Sequence, residues 1–193
     1  MNKVSSFTKE INYIKDENLK KDLKKLISLL PDYFFEVPAS STGKYHPEFA
    51  LGDGGLVRHT KVAVRFAHEL LENNTVGCKF TTRDKDLIII ALVLHDGLKS
   101  GQEHSKYTKF EHPLLVSKYI MENKDKLSMD IDDIRKLCSM IESHMGEWTY
   151  DNYNKKEVLP KPRTAEQRFV HMCDYLASRK FVDVKFTGNN IKD

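Results

Sequence analysis

The chain has 193 residues, of which 31% are charged and 40% hydrophobic, and its formal net charge is +3. A chain of this length buries one substantial core and is expected to form a single domain. The excess of basic residues is too small to predict a nucleic-acid-binding surface, although it favours phosphorylated substrates. The three scattered cysteines form no CxxC pair, which argues against a zinc knuckle or a disulfide framework and is typical of a reducing compartment.

The N-terminal region predicts neither a signal peptide nor a membrane span, because no apolar run approaches the roughly 20 residues that a span needs. We therefore expect a cytoplasmic protein with no membrane partner. Between Val4 and Leu30 apolar residues recur every three or four positions, which predicts an amphipathic helix or helix pair that ends before Pro31. Its apolar face leaves a homodimer open. The following Pro-, Gly- and Ser-rich stretch predicts a loop.

Helical spacing returns from Leu56 to Asn73. The stretch TTRDKDLIIIALVLHD then predicts a buried central helix capped by Thr82, although periodicity alone does not separate a buried helix from a buried strand. Two amphipathic helices follow, at Pro113 to Glu122 and at Asp130 to Met145. A last helix is predicted from about Thr164 to about Lys185, so the chain is expected to be all-α.

Side chains able to bind a metal ion lie on every helix predicted after the loop: His59, His95, Asp96, His112, His144 and Asp174. Imidazole nitrogens and carboxylate oxygens together suit a divalent cation, and helix bundles build such sites in their cores. Each residue also has an ordinary role open to it, such as a capping contact for His59 or a structural salt bridge for Asp174. Asp96 directly follows an apolar run, and a charge at the edge of a core needs a partner.

The series His59, LHDGLKSG and FVHMCDYLAS resembles the H…HD…D signature of the HD superfamily of metal-dependent phosphohydrolases, over about Pro38 to Arg179. The stretch VPAS…YHPEFALGDGGLVRHT is similar to the PA(A/S)…HH…GGLxxHT stretch of its 3′-to-5′ exoribonuclease branch. The residues HDGLK, at positions 95–99, occupy the place of the HDIGK motif of these proteins. FEHPLLVSKYI and IESHMGEW match two further histidine positions of family members that hold two metals, which nominates His112 and His144.

This resemblance implies a single-domain all-α helical bundle with a metal site in its core. The HD domain would span residues 37–186, with an N-terminal helical segment at 1–36 packing on the core and a flexible tail at 187–193. One or two divalent ions of manganese, iron, nickel, cobalt or magnesium are implied. Asp96 would bridge two ions, and the remaining ligands would divide into two sets: His59, His95 and Asp174 in one, His112 and His144 in the other.

The activity implied is that of a phosphodiesterase or nucleotidase, which hydrolyses a phosphoester of a nucleotide, cyclic nucleotide or short oligonucleotide through a metal-activated water. Asp96 would act in catalysis together with Lys99, whose ammonium could meet a phosphate oxygen, although a solvated lysine is the alternative. His46 could contact the phosphate or carry a proton, and Trp148 could stack on a base. Exposure and ordinary packing are the respective alternatives for these two residues.

Two other functions stay open. The same six ligands are known in HD-type diiron oxygenases that act on small polyols or phosphonates, and a non-catalytic nucleotide-sensing HD module is the third. The sequence also departs from the exoribonuclease branch, because it has only a short helical segment where that branch carries a nucleic-acid-binding module. The glycine of HDIGK is replaced by Leu98, with Gly97 one residue earlier, so we expect a different turn there.

Overall fold

A computed structural model describes residues 2–192. Within this range the fold is mostly helical, which confirms the all-α prediction, and its helices are α1 Thr8–Tyr13, α2 Glu17–Leu29, α3 Gly55–Glu72, α4 Asn74–Gly77, α5 Thr82–Leu94, α6 His112–Glu122, α7 Ile131–Glu142 and α8 Ala165–Ala177. Two short antiparallel hairpins accompany them, β1 Tyr150–Asp151 with β2 Lys156–Glu157, and β3 Phe186–Thr187 with β4 Asn190–Ile191. Across residues 2–192 no helix is both long and apolar enough to cross a membrane.

The N-terminal segment is a helix pair. Asp16 caps α2 by accepting hydrogen bonds from the backbone N–H groups of Asn18 and Leu19. The break before it is held by the buried carboxylate of Asp86 on α5, which accepts from the backbone N–H groups of Lys15 and Asp16 at 2.9 Å each. The apolar faces of α1 and α2 therefore join the core that the later helices share.

The central apolar run is a helix, not a strand. Every side chain of α5 from Asp86 to Leu94 is buried. Thr82 was the wrong residue for the cap, because the Thr81 hydroxyl bonds the backbone N–H of Asp84 and the Asp84 carboxylate bonds back to the N–H of Thr81. The helix ends at Leu94, so His95 and Asp96 follow at the end of a rigid, fully packed element.

The turn after Asp96 explains why glycine is at position 97, one residue earlier than in HDIGK. A Cβ atom at Gly97 would lie 2.8 Å from a methyl carbon of Leu30 and 3.0 Å from the Leu94 carbonyl oxygen, so any larger residue would force the buried Leu30 side chain to move. Gly97 does not use a positive φ angle. Close approach of two elements is therefore the reason for glycine at this position.

The last helix is shorter than predicted. It ends at Ala177, and the predicted extension to about Lys185 was wrong because the N–H groups of Arg179 and Val182 bond to the carbonyl oxygens three residues earlier, in turns that do not continue an α-helix. Residues 187–192 belong to the segment predicted to be a flexible tail. Directly before this segment the Phe186 ring packs with its centre 5.5 Å from that of Phe49, and within the segment the Asn190 side chain accepts a hydrogen bond from the Lys61 ammonium at 2.7 Å. The domain boundaries and the mobility of the tail stay predictions.

Candidate metal centre

Five helices bring the six predicted ligands into one place. His59 lies in the second turn of α3, His95 and Asp96 follow α5, and the others come from the start of α6, the turn after α7 and the body of α8. We call this set the His/Asp cluster: His59, His95, Asp96, His112, His144 and Asp174. Its side chains are at most 3% exposed, except for Asp174 at 18%.

Asp174 anchors one half of the His/Asp cluster. Its Oδ1 lies 2.9 Å from Nε2 of His59 and 3.4 Å from Nε2 of His95. The ligand atoms of these three residues all lie within 4.8 Å of one another. A single cation could therefore contact all three.

Asp96 connects the two halves. Its Oδ2 lies 3.5 Å from Nε2 of His95, while its Oδ1 lies 2.9 Å from Nε2 of His112 and 3.8 Å from Nε2 of His144. His95, Asp96 and His144 form a second set of ligand atoms within 4.8 Å of one another. The Lys99 ammonium lies 2.6 Å from Asp96 Oδ2. One carboxylate thus faces ligands on both sides.

Backbone carbonyl groups fix the orientation of three imidazole rings. The Nδ1 atoms of His95, His112 and His144 each lie 2.6 to 2.8 Å from the carbonyl oxygen of the residue three positions earlier. Because a carbonyl oxygen only accepts, each Nδ1 must donate, and the neutral ring then carries its lone pair on Nε2. The Nε2 atoms of His112 and His144 are 3.3 Å apart. Two neutral rings would face each other here with lone pairs, an arrangement that either a ring proton or a bound cation relieves.

The electrostatics of the His/Asp cluster also call for positive charge. Burial alone would raise the pKa of Asp96, but Lys99, His95 and His112 outweigh it and hold that pKa well below its usual range. Burial and the neighbouring His95 lower the pKa of His144 to about 3. Burial would lower the pKa of His95, but the carboxylates of Asp96 and Asp174 outweigh it and raise that pKa. The cluster therefore combines ionised carboxylates with a neutral imidazole.

Two atoms of the cluster test whether a metal ion fits. His95 Nε2 is buried and has no hydrogen-bond partner among residues 2–192, and the buried Asp96 Oδ1, although 2.9 Å from His112 Nε2, makes no hydrogen bond of good geometry there. A buried polar atom without a partner is costly, and coordination to a divalent ion would satisfy both atoms. The donor set and these two atoms fit a divalent metal ion.

The three predicted substrate contacts lie in different surroundings. His46 is close to the cluster, with its ring edge-on to His59 at 4.8 Å and with a buried Nδ1 that has no hydrogen-bond partner in the described chain. Burial, together with His59 and Lys99, lowers the pKa of His46 to about 3. Lys99 pairs with Asp96, and Trp148 lies outside the cluster with 46% of its surface exposed. His104, in the loop before α6, is exposed and stacks on Tyr33, so it takes no part in the cluster.

Sequence reasoning missed Arg58, which organises the loop that carries His46. Its guanidinium donates to the carbonyl oxygens of Phe49, Leu51 and Asp53 and to the side chain of Asn189. Nothing in the sequence marks this arginine, because its partners come from a loop and from the C-terminal hairpin. The structure also gives a role to His171, whose Nδ1 donates to the His144 carbonyl oxygen at 2.7 Å.

Comparison with protein families matches the HD domain model to residues 56–179. The matched range starts in α3, ends just after α8 and includes all six residues of the His/Asp cluster. Neither the curated proteins nor the solved structures give a match. The likeness to the exoribonuclease branch stays a prediction.

Proposed function

Because this chain belongs to the HD domain family, whose members are generally metal-dependent hydrolases of phosphoesters, we propose that it hydrolyses a phosphoester at the His/Asp cluster. The substrate we propose is a nucleotide, a cyclic nucleotide or a short oligonucleotide, cleaved as by a phosphodiesterase or nucleotidase. The observation that carries this proposal is the position of Asp96, whose two carboxylate oxygens face histidines on opposite sides.

In this proposal the His/Asp cluster holds one or two divalent ions of manganese, iron, nickel, cobalt or magnesium. His59, His95 and Asp174 hold one side, His112 and His144 hold the other, and Asp96 lies between them. A bound pair of divalent ions polarises a phosphoryl oxygen and lowers the pKa of water towards neutrality, which supplies the nucleophile.

The protein's own residues prepare the site for an anionic substrate. The Lys99 ammonium, 2.6 Å from Asp96 Oδ2, provides a positive charge for a non-bridging phosphate oxygen. Burial keeps His46 neutral, so its unpartnered Nδ1 can form a hydrogen bond with a substrate oxygen beside His59. The side chains of the His/Asp cluster are almost wholly buried, and electrostatic interactions are stronger there than in bulk water.

The test is hydrolysis by metal-stripped protein of an aryl phosphodiester and of an aryl phosphomonoester, with each of the five metals added back separately. We expect turnover that depends on added metal and falls by more than about 100-fold in Asp96→Asn, since even residues that merely support a ligand contribute about 10- to 100-fold. Asp132→Asn is the matched control, because its side chain is 89% exposed on α7.

Hydrolysis with redox-silent metals such as magnesium supports a hydrolase over an oxygenase. If no metal supports hydrolysis of either ester, or if Asp96→Asn behaves like Asp132→Asn, the proposed function is wrong. Circular dichroism of both variants verifies that the helices are intact.

A further inference from the structure

Aromatic side chains from α8 and from the turn after α7 pack together at the surface beside the His/Asp cluster. His171 and Tyr175 are one turn apart on the helix, and Arg179 continues the same four-residue spacing into the turn that follows. Trp148 stacks on Tyr175 with 5.9 Å between ring centres and 16° between ring planes, and it lies 6.2 Å from the His171 ring. The Arg179 guanidinium lies 4.0 Å from the Tyr175 ring centre. We call these four residues the aromatic shelf.

The aromatic shelf is held in place and yet open to solvent. Trp148 is 46% exposed and Tyr175 is 36% exposed. Trp148 is the only tryptophan of the chain, and a tryptophan is usually buried for most of its surface. Ring contacts already order the shelf, so a planar ligand could stack there with little further loss of side-chain freedom. Aromatic faces and an arginine cation are the groups on which bases stack.

The shelf is joined to the His/Asp cluster at two points. His171 donates to the backbone carbonyl of His144 at 2.7 Å, and Tyr175 directly follows Asp174, whose side chain is the most exposed of the cluster. Gly146, between His144 and Trp148, has a φ of +68°, and a Cβ atom there would lie 2.1 Å from the His171 ring. The turn that carries Trp148 is therefore built to bring it against α8.

We propose that the aromatic shelf binds the base of a nucleotide whose phosphoester lies at the His/Asp cluster, an inference that rests on the proposed function. The shelf offers ring faces rather than a pattern of hydrogen-bonding edges, so it selects for a planar ring system and not for one base. Purines have the larger stacking surface, and we expect them to bind better than pyrimidines. This assigns substrate positioning to Tyr175, His171 and Arg179 in addition to Trp148.

The shelf can be tested without catalysis, because the fluorescence of the single tryptophan reports on it directly. We expect adenosine 5′-monophosphate to quench the fluorescence saturably, whereas ribose 5-phosphate at the same concentrations leaves it unchanged. Tyr175→Leu removes the ring under Trp148 and should weaken the binding of adenosine 5′-monophosphate by roughly 10-fold. Tyr153→Leu is the matched control, because Tyr153 is 93% exposed on the neighbouring hairpin turn, and it should bind like the wild type.

A kinetic comparison adds a readout that a purely structural role would not change. Trp148→Leu should raise KM roughly 10-fold for a phosphoester that carries adenosine and leave KM unchanged for a base-free methyl phosphoester. The inference would be overturned if Trp148→Leu raised KM equally for both phosphoesters. It would also be overturned if ribose 5-phosphate quenched the fluorescence as much as adenosine 5′-monophosphate does. Absence of quenching together with normal metal-dependent hydrolysis refutes the shelf alone. Quenching without hydrolysis of any ester keeps the shelf as a base site and refutes the proposed hydrolase.

Discussion

Replacement of Arg58 by alanine should destabilise the protein far more than replacement of a typical surface arginine. The Arg58 side chain donates four hydrogen bonds, three to loop carbonyl groups between Phe49 and Asp53 and one to Asn189. It therefore fastens both the loop that carries His46 and the C-terminal hairpin to α3.

The size of the effect follows from these contacts. A hydrogen bond to a charged group contributes about 1.5–3 kcal/mol when it is buried. The Arg58 side chain is only partly buried, and the freed carbonyl groups can bond to water, so we expect a loss of about 3 kcal/mol in the free energy of unfolding and not the full sum. For a chain of this size the melting temperature should then fall by about 6–12 °C.

Thermal unfolding followed by circular dichroism measures this change. Arg135→Ala is the control, since Arg135 makes one exposed ion pair at 3.4 Å with Asp132 and should change stability by at most about 0.5 kcal/mol. Arg58→Lys should recover little, because an ammonium cannot present the guanidinium's fork of donors to four acceptors. A melting temperature for Arg58→Ala equal to that of Arg135→Ala would refute the reasoning.

Two further predictions concern charge. Burial would raise the pKa values of Asp84 and Glu166, but hydrogen bonds outweigh it and lower both, and Lys136 donates to each carboxylate. A carboxylate with a lowered folded pKa adds stability above its unfolded pKa, near 3.8 for Asp84 and 4.5 for Glu166, and loses it as the pH falls through the folded value. Lys136→Met should therefore destabilise the protein more at pH 7 than at pH 3 in urea unfolding, and an equal difference at both pH values would contradict this. Added manganese should raise the melting temperature, because the His/Asp cluster assembles only in the folded chain. At a free manganese concentration of 100 times Kd, the free energy of unfolding should rise by about 2.7 kcal/mol. Asp174→Asn should abolish most of that gain, and a manganese effect that is the same in both proteins would place the metal elsewhere.

Local patterns predicted most of the helices, because helix periodicity and capping are properties of neighbouring residues. They failed where contacts between residues far apart in the chain determine where an element ends. The sequence extended α8 to about Lys185, whereas the chain turns at Ser178 and then forms a hairpin whose Phe186 and Asn190 pack on Phe49 and Lys61. Either Thr81 or Thr82 could cap α5 by residue type. The structure shows that Thr81 is the cap, because it forms reciprocal hydrogen bonds with Asp84.

The sequence by itself determined the helical class and, through its resemblance to a family motif, the six residues proposed as ligands. Only the tertiary structure decided how those residues meet, since His59 and Asp174 lie 115 positions apart and their 2.9 Å contact depends on the packing of α3 against α8. The burial of His46, the four bonds of Arg58 and the aromatic shelf belong to the same class of information. Each depends on groups far apart in the chain, and a sequence pattern records spacing along the chain, not distance in space.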